Sequence, residues 1–170
     1  TPKGHFLIAV AIPEAAPGIV DNIRKLGFNP ADVRYLLNTL EHVDHSGGLA
    51  GLKRLTGARM VARAEAKDAL EGGTTHPSDP QKGLFDPIEG VKVDQLIADG
   101  ETLKIGGQML TAISTPGHSP GGTSWRWQSC DKAVTIMNPN CFLGDNGRLN
   151  RLILVNLYSC LGDRFTPVLC

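Results

Sequence analysis

Four side chains carry the chemistry that this sequence offers most plainly. His42, Asp44 and His45 are packed together, and His118 stands alone within Pro116-Gly117-His118-Ser119-Pro120-Gly121-Gly122. Imidazole and carboxylate are the ligands that zinc prefers alongside thiolate. In an extended segment, side chains two apart share a side. His42 and Asp44 are therefore expected on one side, with His45 reaching round to another, so that one short loop feeds two neighbouring metal positions. The prolines and glycines around His118 make a rigid turn that presents one ring at a fixed place. A metal held this way polarises a carbonyl and generates its own nucleophile. Zinc-bound water ionises near pH 7, so no separate strong base is needed. A lone histidine is more often a surface or satisfied core group, and His5 and His76 are read that way. Two histidines and an aspartate directly after an apolar strand, with Gly47-Gly48 behind them, are read as a metal loop.

The elements that must position these residues follow from periodicity and from Gly and Pro punctuation. Gly4 to Ile12 reads as a buried strand. Pro13-Glu14 open a helix with Ile19, Ile23 and Leu26 on one face, ended by Gly27. Arg34 to Thr39 is a second strand, and Leu40 to Ser46 is the loop that leaves it. A helix carrying Leu49, Leu52 and Leu55 closes at Gly57. The strand Arg59 to Ala62 and the helix Ala64 to Leu70 come next, and the helix stops at Gly72-Gly73. Residues 74–90 form a Pro/Gly/Asp-rich loop, long enough to be functional or mobile. Thereafter strands dominate: Val91 to Ala98, Glu101 to Ile105, Gln108 to Ser114, Gly122 to Gln128 with Trp125 and Trp127 on one side, and Ala133 to Met137. Strand–helix units followed by hairpins point to an α/β fold of mixed sheets with helices outside. The metal loops follow strands, where such folds place their chemistry.

Bulk properties narrow the function further. A chain of 170 residues suits a single domain. Lys plus Arg and Asp plus Glu number 17 each, so no net field draws nucleic acid or an anionic membrane. The apolar run near Phe6 to Pro13 is too short to span a bilayer. No signal-peptide pattern is visible. All four cysteines, Cys130, Cys141, Cys160 and Cys170, lie near the C-terminal end. Their spacing matches no zinc-knuckle pattern, and they are read as structural or unpaired.

Two stretches resemble a known family. Leu36 to Gly48 (LLNTLEHVDHSGG) is similar to the metallo-β-lactamase superfamily signature, His-x-His-x-Asp-His followed by Gly-Gly. Thr115 to Trp125 (TPGHSPGGTSW) resembles the next metal motif in the form typical of the third β-lactamase subclass, and Asp94 to Ile105 resembles that subclass's hairpin. The resemblance runs over about residues 2–127. It implies an αβ/βα sandwich of two mixed sheets with outer helices, incomplete at both ends. It also implies one or two zinc ions, with His42 and His118 in the first site and Asp44 and His45 in the second. Asp44 would also orient the attacking hydroxide. The implied substrate is a small β-lactam, with no nucleic-acid or membrane partner, and the implied location is periplasmic or secreted.

The sequence departs from that pattern in three places. Position 40, the first histidine of the signature, is leucine. Glu41 beside it faces the other way along an extended segment and is expected to be solvated or to support the site from behind. Where the family has Asp-Gly-Gly after the first strand, this chain has Ala9-Val10-Ala11, losing an outer carboxylate of a kind worth about ten- to hundredfold in metal affinity. No histidine follows His118. Asn138-Pro139-Asn140 echo a family segment, whereas residues 151–170 match nothing in it. Cys141 remains a conceivable thiolate donor. With two of three protein ligands left at each position, at most one firmly held zinc is expected. The function expected is zinc-dependent β-lactam opening with impaired activity. The alternatives are a degenerate fragment without a competent site and a glyoxalase-II-like thioester or lactone hydrolase.

Overall fold

Short apolar strands separated by amphipathic helices bury two faces at once, and the computed structural model, which describes residues 3–128 and 133–136, shows both. Strands β1 (His5–Ile8), β2 (Val33–Leu37), β3 (Arg59–Ala62) and β4 (Gln95–Leu96) form one sheet in the order β1-β2-β3-β4, every pairing parallel. Helices α1 (Ala15–Lys25), α3 (Leu49–Thr56) and α4 (Ala64–Gly72) provide the connections that parallel neighbours require. Strands β5 (Thr102–Ile105), β6 (Gln108–Ser114), β7 (Thr123–Gln128) and β8 (Ala133–Ile136) form a second sheet, every pairing antiparallel.

Strand alternation sorts the core into two layers. Leu7, Leu36, Met60 and Ala62 pack with Ile19, Ile23, Leu49 and Leu52 of the helices. Phe6, Ile8, Leu37 and Val61, pointing the other way, meet Leu103, Leu110, Trp125 and Trp127 of the second sheet. Each such Leu, Ile, Val, Phe or Met side chain contributes about 1.5–3 kcal/mol when fully buried. The α/β sandwich with outer helices is therefore present. The sheets expected to be mixed are each uniform among the described residues, because helices connect the strands of the first, while β5 to β6 and β6 to β7 are joined directly without a crossover.

Three local expectations change. Val91 to Ala98 forms only the two-residue β4. Val91 and Val93 are buried as a strand pattern demands, but their N–H groups bond to Leu70 O and to Glu71 Oε1 of α4 rather than to a neighbouring strand. Leu55 and Leu26 are half-exposed instead of joining the apolar faces of their helices. Residues expected as irregular loop after β2 contain a helical turn, α2 (Val43–Ser46), closed by His45 and Ser46 N–H bonds to His42 O. The cysteines, Asn138-Pro139-Asn140 and residues 151–170 lie outside the described residues. Among the described residues no helix is long and apolar enough to cross a membrane.

Candidate metal centre

The loop from Thr39 to Gly48 leaves the C-terminal end of β2 and is fastened on every side. Thr39 O accepts from Thr123 N–H at 2.7 Å, and Asn38 O accepts from the Trp125 indole at 2.8 Å, so β7 of the second sheet holds its start. Ser46 Oγ lies 2.8 Å from Glu41 O and 2.9 Å from His42 O, closing the turn from within. Gly47 and Gly48 are required by close approach. A Cβ on Gly47 would stand 2.5 Å from Val43 O and 2.6 Å from Pro13 Cδ, and one on Gly48 2.6 Å from Val10 O. The segment Ala9–Ala11 runs alongside, with Val10 N–H bonded to His45 O and Gly48 N–H to Ala11 O, both at 3.0 Å. Ala9 and Ala11 hold φ of 53° and 56°. That left-handed backbone suits glycine and costs an L-residue roughly 1–2 kcal/mol.

Helix formation at Val43 overturns the expected side-sharing of His42 and Asp44. His42 is the last extended residue, while Asp44 and His45 sit on the helical turn, so spacing by two no longer sets direction. The four residues meet in two pairs instead. His42 Nδ1 lies 3.1 Å from His118 Nε2, with the rings edge to face. His45 Nε2 lies 3.3 Å from Asp44 Oδ2.

The remaining ring atoms are already engaged. His42 Nε2 donates to Asp79 Oδ2 at 2.8 Å, both side chains being buried. An acceptor-only carboxylate at Nε2 leaves Nδ1 as the bare nitrogen of a neutral His42. His45 Nδ1 is 3.0 Å from Thr39 Oγ1, which leaves Nε2 facing Asp44. Burial, and then the neighbouring His42 ring, hold the His118 pKa below its ordinary value, while the carboxylates of Asp79 and Asp44 oppose that shift. The His45 ring holds the Asp44 carboxyl below its usual range, against the opposing effect of burial.

Two donors on one tetrahedral zinc, each bound at about 2.0–2.2 Å, stand roughly 3.3–3.5 Å apart. The spacings of 3.1 and 3.3 Å come close to that, so each pair can be read as two corners of a site. The third corner is lacking. Leu40 is fully buried, belongs to neither apolar cluster and brings no donor atom. Among the described residues no group of three or more His, Cys, Asp or Glu is arranged to hold a metal ion. Zinc sites ordinarily need three protein ligands, so the described donors do not complete one.

One participant escapes the sequence reading, and a second takes one of the two courses expected of it. Asp79 arrives from the long loop after α4, in a turn where its Oδ1 accepts from Gln81 N–H at 2.8 Å. Ser-Asp-Pro is a common turn signal, and nothing in it tells which acidic residue of that loop reaches His42. Glu41, expected to be solvated or to support the site from behind, takes the second course and is only 5% exposed. Its carboxylate accepts from Ser119 Oγ–H and, at 2.8 Å, from Gly121 N–H. His5 and His76 keep their ordinary roles. His5 is buried edge-on against Phe28, and His76 bonds to Ser78 within its own turn.

The family model of the metallo-beta-lactamase superfamily matches residues 1–126. A solved metallo-β-lactamase, MIM-1 from Novosphingobium pentaromativorans, superposes with a TM-score of 0.76 at 43% identity, covering 79% of this chain and 50% of its own. The N-acyl homoserine lactonase AttM of Agrobacterium fabrum is 32% identical over 135 residues, 73% of this chain and 48% of its own length. A hydroxyacylglutathione hydrolase of Rhodopseudomonas palustris is 33% identical over 111 residues, 65% of this chain and 34% of its own. The chain thus spans about half the length of the first two of these proteins, and a third of the last.

Proposed function

Because the chain belongs to the metallo-beta-lactamase superfamily, we propose that it is a hydrolase unit of the β-lactamase branch whose metal site is short of donors. Its substrate class is the β-lactams, its location is the periplasm or outside the cell, and it retains at most one zinc per chain, weakly. The observation that carries this reading is the pairing of His42 with His118 and of Asp44 with His45, beside a buried leucine at position 40. The β-lactam assignment rests on the TPGHSPGGTSW stretch and on 43% identity to a solved β-lactamase, against 32% and 33% to the lactonase and the thioester hydrolase. In this reading His42 and His118 are the first pair of metal ligands, Asp44 and His45 the second, and Asp44 is the residue that orients the attacking group.

Metal counting by mass spectrometry after dialysis tests it: one zinc or fewer is expected, and two firmly retained ions would sink the reading. Chromogenic-cephalosporin hydrolysis is expected to be weak, abolished by chelator and lost in His118→Ala. Activity that survives chelation would remove zinc from the reaction. A second reading, a superfamily domain that performs no hydrolysis, is favoured by the missing third donor. Protein that retains no zinc after dialysis and shows no turnover when zinc is then supplied at saturation would select it.

A further inference from the structure

We propose that Glu41 is the positioning residue for His118, a latch whose buried carboxylate ties the His118 loop to the His42 loop. It accepts one hydrogen bond from Ser119 Oγ–H and another from Gly121 N–H, so its partners lie one and three residues beyond His118 on the same turn. A buried carboxylate is tolerated only where donors meet it. Its two donors, one side-chain hydroxyl and one backbone N–H, come from a loop 78 and 80 residues away. The fit is close: a Cβ on Gly121 would stand 2.5 Å from Glu41 Oε1 and 2.5 Å from Ala66 Cβ, so the latch depends on glycine there.

Apart from Glu41, the His118 loop is tied to its own ends and, through the start of β7, to Thr39: Thr115 N–H bonds to Gly122 O at 3.0 Å, Thr123 Oγ1–H to Gly121 O at 2.9 Å and Thr123 N–H to Thr39 O at 2.7 Å. Its internal bonds, Gly122 N–H to Ser119 O at 3.3 Å and Gly117 N–H to Ser119 O at 3.4 Å, shape the turn without placing it. Arg63 reaches Gly122 O at 3.3 Å from the base of α4. Glu41 follows directly on Leu40 and precedes His42, so wherever the latch holds, the His118 ring is delivered to His42 Nδ1. The position next to the missing donor thus acts on the site without offering itself to it.

The importance of the latch for catalysis rests on the reading of His42 and His118 as a working pair. The positioning itself is tested without metal or substrate. Glutamine at position 41 keeps an oxygen for Gly121 N–H and turns its amide toward the Ser119 oxygen, whereas alanine keeps neither bond. By NMR on metal-free protein, the Gly121 amide and the imidazole N–H shared by His118 and His42 are expected to exchange slowly in the wild type and in Glu41→Gln. In Glu41→Ala both should exchange at least about tenfold faster. The Trp125 indole N–H, bonded to Asn38 O, reports that the sheets remain folded and should not change. If Glu41→Ala does not fold, Ser119→Ala removes one donor and should speed exchange of the shared imidazole N–H. Wild-type protection of that imidazole in Glu41→Ala, or in Ser119→Ala, would overturn the latch. So would Glu41→Gln behaving like alanine, which would make the charge of Glu41 the determinant. The predicted exchange pattern in a protein that binds no zinc would support the latch and defeat the proposed function.

Discussion

The two donor pairs are built on different ranges of the chain. Asp44 and His45 are neighbours on one helical turn, with Thr39 six residues before His45 completing the set. His42 and His118 come from loops 76 residues apart, and Asp79, 37 residues on from His42, orients the first of them. The local pair needs only that its turn fold. The distant pair needs both sheets docked, the long loop seated and the His118 turn held down. Damage far from the chemistry is therefore expected to reach the distant pair first. Burial does not separate the two pairs: each joins a buried histidine, His45 at 4% or His42 at 3% exposure, to a more open partner, Asp44 at 42% or the partly buried His118.

The largest effect should come from completing that pair. Leu40→His adds the donor that the site lacks and is expected to raise zinc affinity about a hundredfold or more, beyond what an outer partner alone is worth. Competition with a chromogenic chelator measures this, and an unchanged affinity would mean that position 40 does not face the pair. Asp79→Asn leaves His42 without its carboxylate and should weaken metal binding about ten- to hundredfold. The Asp44–His45 contact, followed by histidine NMR, should stay as it is; loss of both pairs together would erase the distinction between them.

Gly121→Ala forces a Cβ against Glu41 and Ala66 and should destabilise the protein by about 1–3 kcal/mol, read from urea denaturation. The smallest effect belongs to the local side. Ala11→Gly relieves the left-handed strain beside the His45 turn and should stabilise by about 0.5–1 kcal/mol in the same assay, with zinc affinity unmoved. A destabilised Ala11→Gly would show that the strain is not stored there.

Legibility followed the same division. Strands β3 and β6 lie at the residues their patterns marked, and α4 stops at the glycines, because a short apolar run between Gly signals is a local fact. Trp125 and Trp127 share a buried face as their alternation requires. Val91 to Ala98 has the alternation of a strand, but α4 takes the Val91 and Val93 N–H groups, while those of Asp94 and Ile97 reach β3. The turn at Val43–Ser46 is hidden because a valine, an aspartate, a histidine and a serine carry no helical periodicity over four residues. The superfamily was readable from two motifs and their separation, and the matching family model covers residues 1–126.

By itself, then, the sequence determined which side chains can donate to a metal, that one expected donor is leucine, and most of the strand and helix segments, though not the turn at Val43–Ser46 or the fate of Val91 to Ala98. Those are properties of residue type and of spacing along a few turns. The tertiary structure alone decided that His42 faces His118 rather than Asp44, that Asp79 is the carboxylate behind it, and that Glu41 points inward to the His118 loop. Such contacts close loops of 37 to 80 residues, and their partners are chosen by how the two sheets dock. No local period in the chain encodes that choice.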